Sequence, residues 1–192
     1  MTIMIIGLLI FLGSHSVRIF AEDWRQQQIA KHGENTWKLA YSVVSVIGLA
    51  IAIYGFGQMR LDPIYVWFPP AGLRHAVALL MIPAFIMLVA AYVPRNAIKA
   101  KLGHPMMLAV KIWAFSHLLA NGRLGDIIFF VAFLVWAILA FKTAKKRDRQ
   151  HPASTVTTSV PATIATIVIG LVAYVLFALY LHTIIIGVPA FS

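Results

Sequence analysis

The sequence predicts an all-α, polytopic membrane protein, a six-transmembrane-helix bundle that forms a single domain over residues 1–192, with the N- and C-termini outside. Three observations lead to this fold class. Hydrophobic residues make up 61% of the chain and charged residues only 11%, whereas about a quarter of the residues of a soluble domain are charged. The apolar residues collect into six runs, and the basic residues collect in alternate loops. Only helices satisfy their own backbone groups in hydrocarbon, so the runs are predicted to be helical.

The six apolar runs define the predicted helices in chain order. The first run is interpreted as a retained helix and not as a signal peptide, because it lacks a basic start and no small-residue cleavage site precedes Glu22 and Asp23. Several runs are shorter than the roughly 20 residues that cross a bilayer, so they are expected to include flanking residues. The runs lie at about residues 2–20, 39–56, 76–92, 105–120, 127–141 and 162–188.

The basic residues predict the orientation of the bundle. If the N-terminus is outside, only Arg60, Arg74 and Arg123 fall in outer loops. Cytoplasmic loops are enriched in Lys and Arg, so this bias places both termini outside the cytoplasm. Twelve basic residues then fall on the inner side: Arg18, Arg25, Lys31, Lys38, Arg95, Lys99, Lys101, Lys142, Lys145, Lys146, Arg147 and Arg149.

The same composition argues against several classes of protein. The net charge is +10, but no basic surface interleaved with aromatic residues is visible, so nucleic acid is not predicted as a partner. The chain has no cysteine, which excludes disulfides, iron–sulfur clusters and covalent haem attachment. No HExxH zinc motif is present. Intramembrane acids are nearly absent, with only Asp126 near a helix end, which argues against a proton or ion pathway.

The segment after the fifth run is basic and then rich in Ser, Thr and Pro, and it is predicted to be a loop. Two interpretations stay open. The loop contacts anionic lipid headgroups, where each basic residue is worth about 1 kcal/mol, or it only fixes the topology. His151 is interpreted as a solvated loop residue. The basic residues are Lys142, Lys145, Lys146, Arg147 and Arg149.

The fourth run, HPMMLAVKIWAFSHLLANG, carries ionisable residues within an apolar helix. Lys111 and His117 lie where burial in hydrocarbon costs roughly 2.5–3.5 kcal/mol for a lysine, which makes them functional candidates. Lys111 could instead extend toward the membrane interface. His117 shares a helix stripe with Trp113 and Asn121, since the three are spaced by four residues.

Histidines recur in or at the ends of the predicted helices. A lone membrane histidine is most simply a neutral imidazole bonded to a neighbouring helix. Four in one small bundle, without cysteine, favour a haem site, because imidazole is a common haem ligand and bundle cores often hold cofactors. The four are His15, His75, His117 and His182.

Three segments resemble the NnrU family of bacterial integral membrane proteins and, more distantly, plant zeta-carotene isomerase. The first is GSHSVR at residues 13–18. The second is the His-Pro of the fourth run, followed by a W-x-x-x-H-L-x-x-x-G pattern. The third is LHTIIIGVP near the C-terminus. The resemblance covers essentially the whole chain and implies a multi-pass protein of the bacterial inner membrane.

The resemblance also implies a function. NnrU proteins are associated with denitrification, where they are needed for normal nitrite and nitric-oxide reduction. The plant isomerase holds a non-covalent haem b and isomerises a cis double bond of a carotenoid, and its ligand histidines map onto His15 and His117. This chain has Ala114 where the isomerase has a cysteine, and Gln58 or Met59 near the position of a further histidine. Both differences argue against isomerase activity and leave haem binding intact, so enzymatic activity stays open.

The resulting hypothesis is a haem b site with His15 and His117 as axial ligands and His75, His182 or His104 as alternates. Ligation by both requires the first helix to continue past Phe20 toward Trp24, or the fourth to tilt; otherwise the outer trio of His75, His117 and His182 is favoured. Arg18, three residues after His15, is expected to pair with a haem propionate. The candidate cofactor-binding residues are His15, Arg18, His104, Trp113, His117 and Asn121.

Two other functions stay open. The chain is either a non-haem membrane binding protein or transporter, in which the histidines pack or handle protons, or an assembly partner of nitrite and nitric-oxide reductases. A Soret absorption band in the purified protein favours haem. Copurification with the reductases, independent of haem, favours the assembly role.

We predict that a phosphatase reporter fused after Ser192 is active in the periplasm, because the bias of basic residues places the C-terminus outside. The measurement is phosphatase activity of whole cells, with a cytoplasmic reporter at the same position as the control. Signal from the cytoplasmic reporter alone would contradict the predicted orientation.

Overall fold

The computed structural model describes residues 1–150 and 157–191, and this part of the chain is helical throughout apart from short connections. Tyr65 and Arg123 form an isolated β-bridge. The helices are α1 Thr2–Phe20, α2 Glu22–His32, α3 Glu34–Met59, α4 Leu73–Ala90, α5 Ala97–Leu102, α6 Pro105–Ala120, α7 Leu124–Gln150, α8 Val160–Leu176, a π-helical turn Phe177–Leu181 and α9 His182–Ile186.

Five helical segments are long and apolar enough to cross a membrane, which confirms the predicted all-α membrane bundle. α6 is also apolar, but with only 16 residues it is shorter than these five segments. A sixth crossing through α6, and the orientation of the termini, stay predictions. The five segments are Thr2–Phe20, Glu34–Met59, Leu73–Ala90, Leu124–Gln150 and Val160–Ile186.

The prediction of a loop at residues 142–149 is wrong. α7 continues to Gln150, and the basic residues of this segment lie on its last turns. The physical reason is a stripe of buried alanines, Ala137, Ala140 and Ala144, that continues past the apolar run. Lys, Arg and Ala are also strong helix formers. His151 lies outside the described residues.

The first helix does not continue toward Trp24 either. α1 ends at Phe20, and Ala21 adopts φ −140° and ψ 43°, which breaks the helix before α2 begins. The residues that follow are strongly polar, and α2 has acids in its first turn and bases in its last, as the helix dipole favours. A separate polar helix therefore replaces the expected extension.

The structure divides into two compact units, each described here by itself. The first unit comprises residues 1–68 and 122–140. Its centre is the pairing of α1 with α3, which places small residues of the two helices face to face. Without large side chains the two backbones approach closely, as in small-residue interfaces of membrane helices. The facing pairs are Gly55 with Met4, Ala52 with Gly7, Gly48 with Phe11, and Ser45 with Ser14.

The second unit comprises residues 69–121 and 141–192 and is described without residues 151–156 and 192. Here α4 packs against α6 and α8. Gly170 of α8 lies against Ile86 of α4, where a Cβ would stand 2.7 Å from the Ile86 Cα. Asn96 is buried and caps α5: its Oδ1 accepts from the Lys99 N–H at 2.7 Å and its Nδ2 donates to the Ala90 carbonyl at 2.9 Å. These contacts fix the connection between α4 and α6.

We predict that Gly7→Ala and Gly55→Ala each lower the free energy of unfolding by about 1–3 kcal/mol, because the added methyl group would overlap the backbone of the facing helix. The measurement is the thermal midpoint of the detergent-purified protein. Gly57→Ala on α3 is the matched control, since nothing lies within 4 Å of its Cβ position. Equal midpoints for all three variants would contradict the close α1–α3 contact.

Candidate functional site

His15 lies on α1 within a group of aromatic rings in the first unit. Its ring centroid is 4.3 Å from that of Phe11, 5.0 Å from Tyr41 and 5.8 Å from Trp136. Its Nδ1 lies 2.7 Å from the carbonyl oxygen of Phe11, one turn earlier in the helix. Because a carbonyl only accepts, Nδ1 must carry the proton and Nε2 of the neutral ring carries the lone pair.

Trp136 contributes a second feature to these surroundings. Its Nε1 is buried and has no hydrogen-bond partner in residues 1–150 and 157–191. An indole N–H is only a donor, and a buried donor without an acceptor costs about 1–3 kcal/mol. A polar group beside His15 that lacks a protein acceptor fits a site that takes an acceptor from a bound molecule.

Arg18 follows His15 on the same face of α1, as predicted, and lies beside a carboxylate. Its Nε is 4.0 Å from Glu22 Oε2, and its side chain is 62% exposed. Glu22 also accepts from Arg25 at 2.9 Å, so two guanidinium groups share one carboxylate. The net positive charge of this trio suits a second acid, such as a propionate.

His117 on α6 repeats the geometry of His15 within the second unit. Its Nδ1 lies 2.8 Å from the carbonyl oxygen of Trp113, which again leaves the lone pair on Nε2. The Trp113 ring is 5.7 Å away between centroids. Asn121 Nδ2 donates to the His117 carbonyl at 2.8 Å. The structure thus brings Trp113, His117 and Asn121 together, although Asn121 is the C-cap of α6 with an extended backbone and lies past the helical stripe.

A serine precedes each of these histidines and bonds in the same way. Ser14 Oγ donates to the Phe11 carbonyl at 2.8 Å, and Ser116 Oγ lies 3.0 Å from the Trp113 carbonyl oxygen. The two segments, FLGSH and WAFSH, read aromatic-x-x-Ser-His. The sequence analysis missed this short repeat, although the sequence alone carries it.

His182 is a third histidine with the same tautomer. Its Nδ1 lies 2.6 Å from the carbonyl oxygen of Val188, and its ring is edge-on to Phe177 at 5.9 Å. It follows the π-helical turn Phe177–Leu181, a feature frequent at functional sites. The second unit therefore holds two histidines, His117 and His182, that share this tautomer.

The remaining candidates have other surroundings. His75 begins the α4 region beside Ala71, Arg74 and Phe191, around a cavity of about 140 Å³. His104 stands at the N-cap of α6, as predicted, but its side chain makes no capping bond. Its Nε2 lies 3.0 Å from Asp148 Oδ2 instead. The Nε2 atom of His104 is thus already paired with a carboxylate.

The donor chemistry fits a haem better than a metal ion bound by protein alone. Within the described ranges, no three His, Asp or Glu residues gather closely enough to hold a metal ion. Haem iron needs only one or two protein ligands, and a neutral imidazole with its lone pair on Nε2 is a suitable one.

The two positions that differ from the plant isomerase have structural roles here. Ala114 is fully buried in α6. Gln58 and Met59 end α3, and the Met59 side chain packs over Gly125. A cysteine or histidine is thus replaced by packing groups.

Comparison with known proteins was made on the whole chain. A family model described as NnrU protein matches residues 3–190. No curated protein and no solved structure matches the chain.

Proposed function

Because this chain belongs to the NnrU family, we propose that it is an NnrU-like membrane protein that binds haem b non-covalently and serves nitrite and nitric-oxide reduction in denitrification. Its helices cross the membrane several times, and we assign it to the bacterial inner membrane. The absence of cysteine leaves non-covalent binding as the way to hold the haem.

The observation that carries this proposal is the shared state of the imidazoles. His15 and His117 each donate their Nδ1 proton to a carbonyl of their own helix, at 2.7 and 2.8 Å. Such a bond orients the ring and increases the basicity of Nε2, which is what a bound iron requires of a ligand histidine.

His15 and His117 are our first choice of axial ligands, and because α1 ends at Phe20 this pair requires α6 to tilt; His75, His182 and His104 are the alternates. When bound, a haem with two histidine ligands supplies one-electron chemistry, which suits electron transfer or redox sensing. Trp136 offers its buried indole N–H as a donor in the surroundings of His15. His104 ranks last, since its Nε2 pairs with Asp148.

Arg18 is the residue that we propose for a haem propionate. Its guanidinium is 62% exposed and follows His15 on the same face of α1, so a charge-assisted hydrogen bond to a propionate would hold that acid toward water.

An isomerase-like activity is the less favoured reading of the same site. Ala114 and Met59 are engaged in packing where the isomerase has a cysteine and a histidine. The proposed partners are the bilayer, with anionic lipid at the end of α7, and nitrogen-oxide reductases.

We predict that His15→Ala and His117→Ala each lose most of the haem and of the Soret band of the protein purified from haem-replete cells, because each removes an axial nitrogen. The measurement is the absorption spectrum and the haem-to-protein ratio. His32→Ala is the matched control, since His32 is exposed at the end of α2. His75→Ala, His104→Ala and His182→Ala identify the ligand if the first choice fails.

Three outcomes would overturn parts of this proposal. Unchanged haem content in both His15→Ala and His117→Ala rejects the ligand pair, and the variant that loses colour then names the ligand. Colourless wild-type protein rejects haem and favours a non-haem binding protein or transporter. Colourless protein that copurifies with the reductases favours an assembly role.

A further inference from the structure

A cluster of polar side chains surrounds one aromatic ring in the second unit, and of the alternate haem ligands it includes only His104, which ranks last. Phe141 is its centre. Lys111 Nζ lies 4.9 Å from the Phe141 ring centroid and Lys145 Nζ lies 5.8 Å from it, both within cation–π range. The His104 ring stands edge-on to Phe141 at 6.4 Å, and His104 binds Asp148. We call these five residues the Phe141 cluster.

The Phe141 cluster carries more positive than negative charge, with two lysines and one aspartate. Across residues 1–150 and 157–191, neither Lys111 nor Lys145 forms an ion pair with a carboxylate. The acid of the cluster, Asp148, has its Oδ2 3.0 Å from His104 Nε2. Two ammonium groups near one ring repel each other, and an anion between them would relieve that repulsion.

The turn at Gly103 and the protein around it restrict the lysines of the Phe141 cluster. Gly103 ends α5 at φ +78°, and a Cβ there would stand 3.0 Å from Lys145 Nζ, so Lys145 lies close against this turn. Lys111 and Lys145 are both half-buried, whereas Lys142 and Lys146 of the same helix end are exposed. The half-buried lysines are therefore held in the protein surface and do not simply extend into water.

Building on the anionic-lipid contact proposed above for the end of α7, we propose that the Phe141 cluster binds the phosphate of an anionic phospholipid headgroup, with Lys111 and Lys145 as its cationic ligands. Lys111 lies inside an apolar helix, and Phe115, one turn later on the same face of α6, is 49% exposed. Acyl chains would cover such apolar surface, which a free phosphate ion does not do. A lipid thus fits both the charge and the apolar surroundings, and its binding is independent of haem.

The test compares two double variants that lose the same charge. We expect phosphatidylglycerol to raise the thermal midpoint of the wild-type protein in detergent and of Lys31→Gln with Lys101→Gln, two exposed lysines outside the end of α7. In Lys111→Gln with Lys145→Gln, we expect apparent affinity for phosphatidylglycerol to fall roughly tenfold or more, since both phosphate ligands are gone. Native mass spectrometry counts the lipid that each protein retains.

Parallel titrations with other ligands, and a further variant, provide outcomes that would reject the proposal. Phosphatidylcholine and inorganic phosphate are titrated in parallel, and neither is expected to match phosphatidylglycerol. An equal affinity loss in the two double variants would reject the cluster as the site, and an equal effect of inorganic phosphate would reject the lipid. If the glutamine variant does not fold, the test uses Lys111→Arg with Lys145→Arg, which keeps the charge and is expected to retain phosphatidylglycerol. Loss of phosphatidylglycerol binding in this variant, while it folds and the control pair still binds the lipid, would reject the proposal.

Discussion

The absence of water around the membrane helices is the constraint on which the rest of this structure depends. A polar group in hydrocarbon must find its partner within the protein, and the nearest acceptors are the carbonyls of its own helix. Ser14, His15 and Thr166 all bond to carbonyls three or four residues earlier. The same solution recurs at Ser116 and His117. Polar side chains thereby enter apolar helices with an acceptor in their own helix, and Ser14 also lies 3.2 Å from Ser45 of α3.

This local solution has a chemical consequence for the histidines. Bonding to a helix carbonyl uses the Nδ1 proton, so the lone pair of each ring is left on Nε2. The hydrogen bond that satisfies the Nδ1–H of a histidine inside the membrane therefore also places the lone pair on Nε2, the atom that would bind iron. His182 reaches the same state through a different route, because its acceptor Val188 lies after the helix and the preceding turn is π-helical. The proposed haem binding rests on this common state and not on a cluster of metal ligands.

Charge is handled differently at the ends of the helices, where water and headgroups are near. Glu22 lies beside both Arg18 and Arg25, and Asp148 lies beside His104, so these acids are placed against bases. The chain has 16 Lys and Arg against 6 Asp and Glu, so most bases have no acid to pair with. At Lys111 and Lys145, an aromatic ring takes the place of a counter-ion. The proposed lipid phosphate would add a counter-ion at these two lysines.

The sequence by itself determined the fold class, since composition and apolar runs leave helices as the only way to satisfy backbone groups in a bilayer. It also placed α1 and α6 at their observed ends and identified the stripe of Trp113, His117 and Asn121, because helical spacing follows from residue number. It failed at residues 142–149, where buried alanines extend α7, and at Ala21, where the helix breaks. Only the tertiary structure decided that Ser45, Gly48, Ala52 and Gly55 face α1, that His104 pairs with Asp148, and that two lysines share Phe141. These contacts join residues distant in the chain, and their pairing depends on how helices pack, which periodicity along one helix does not specify.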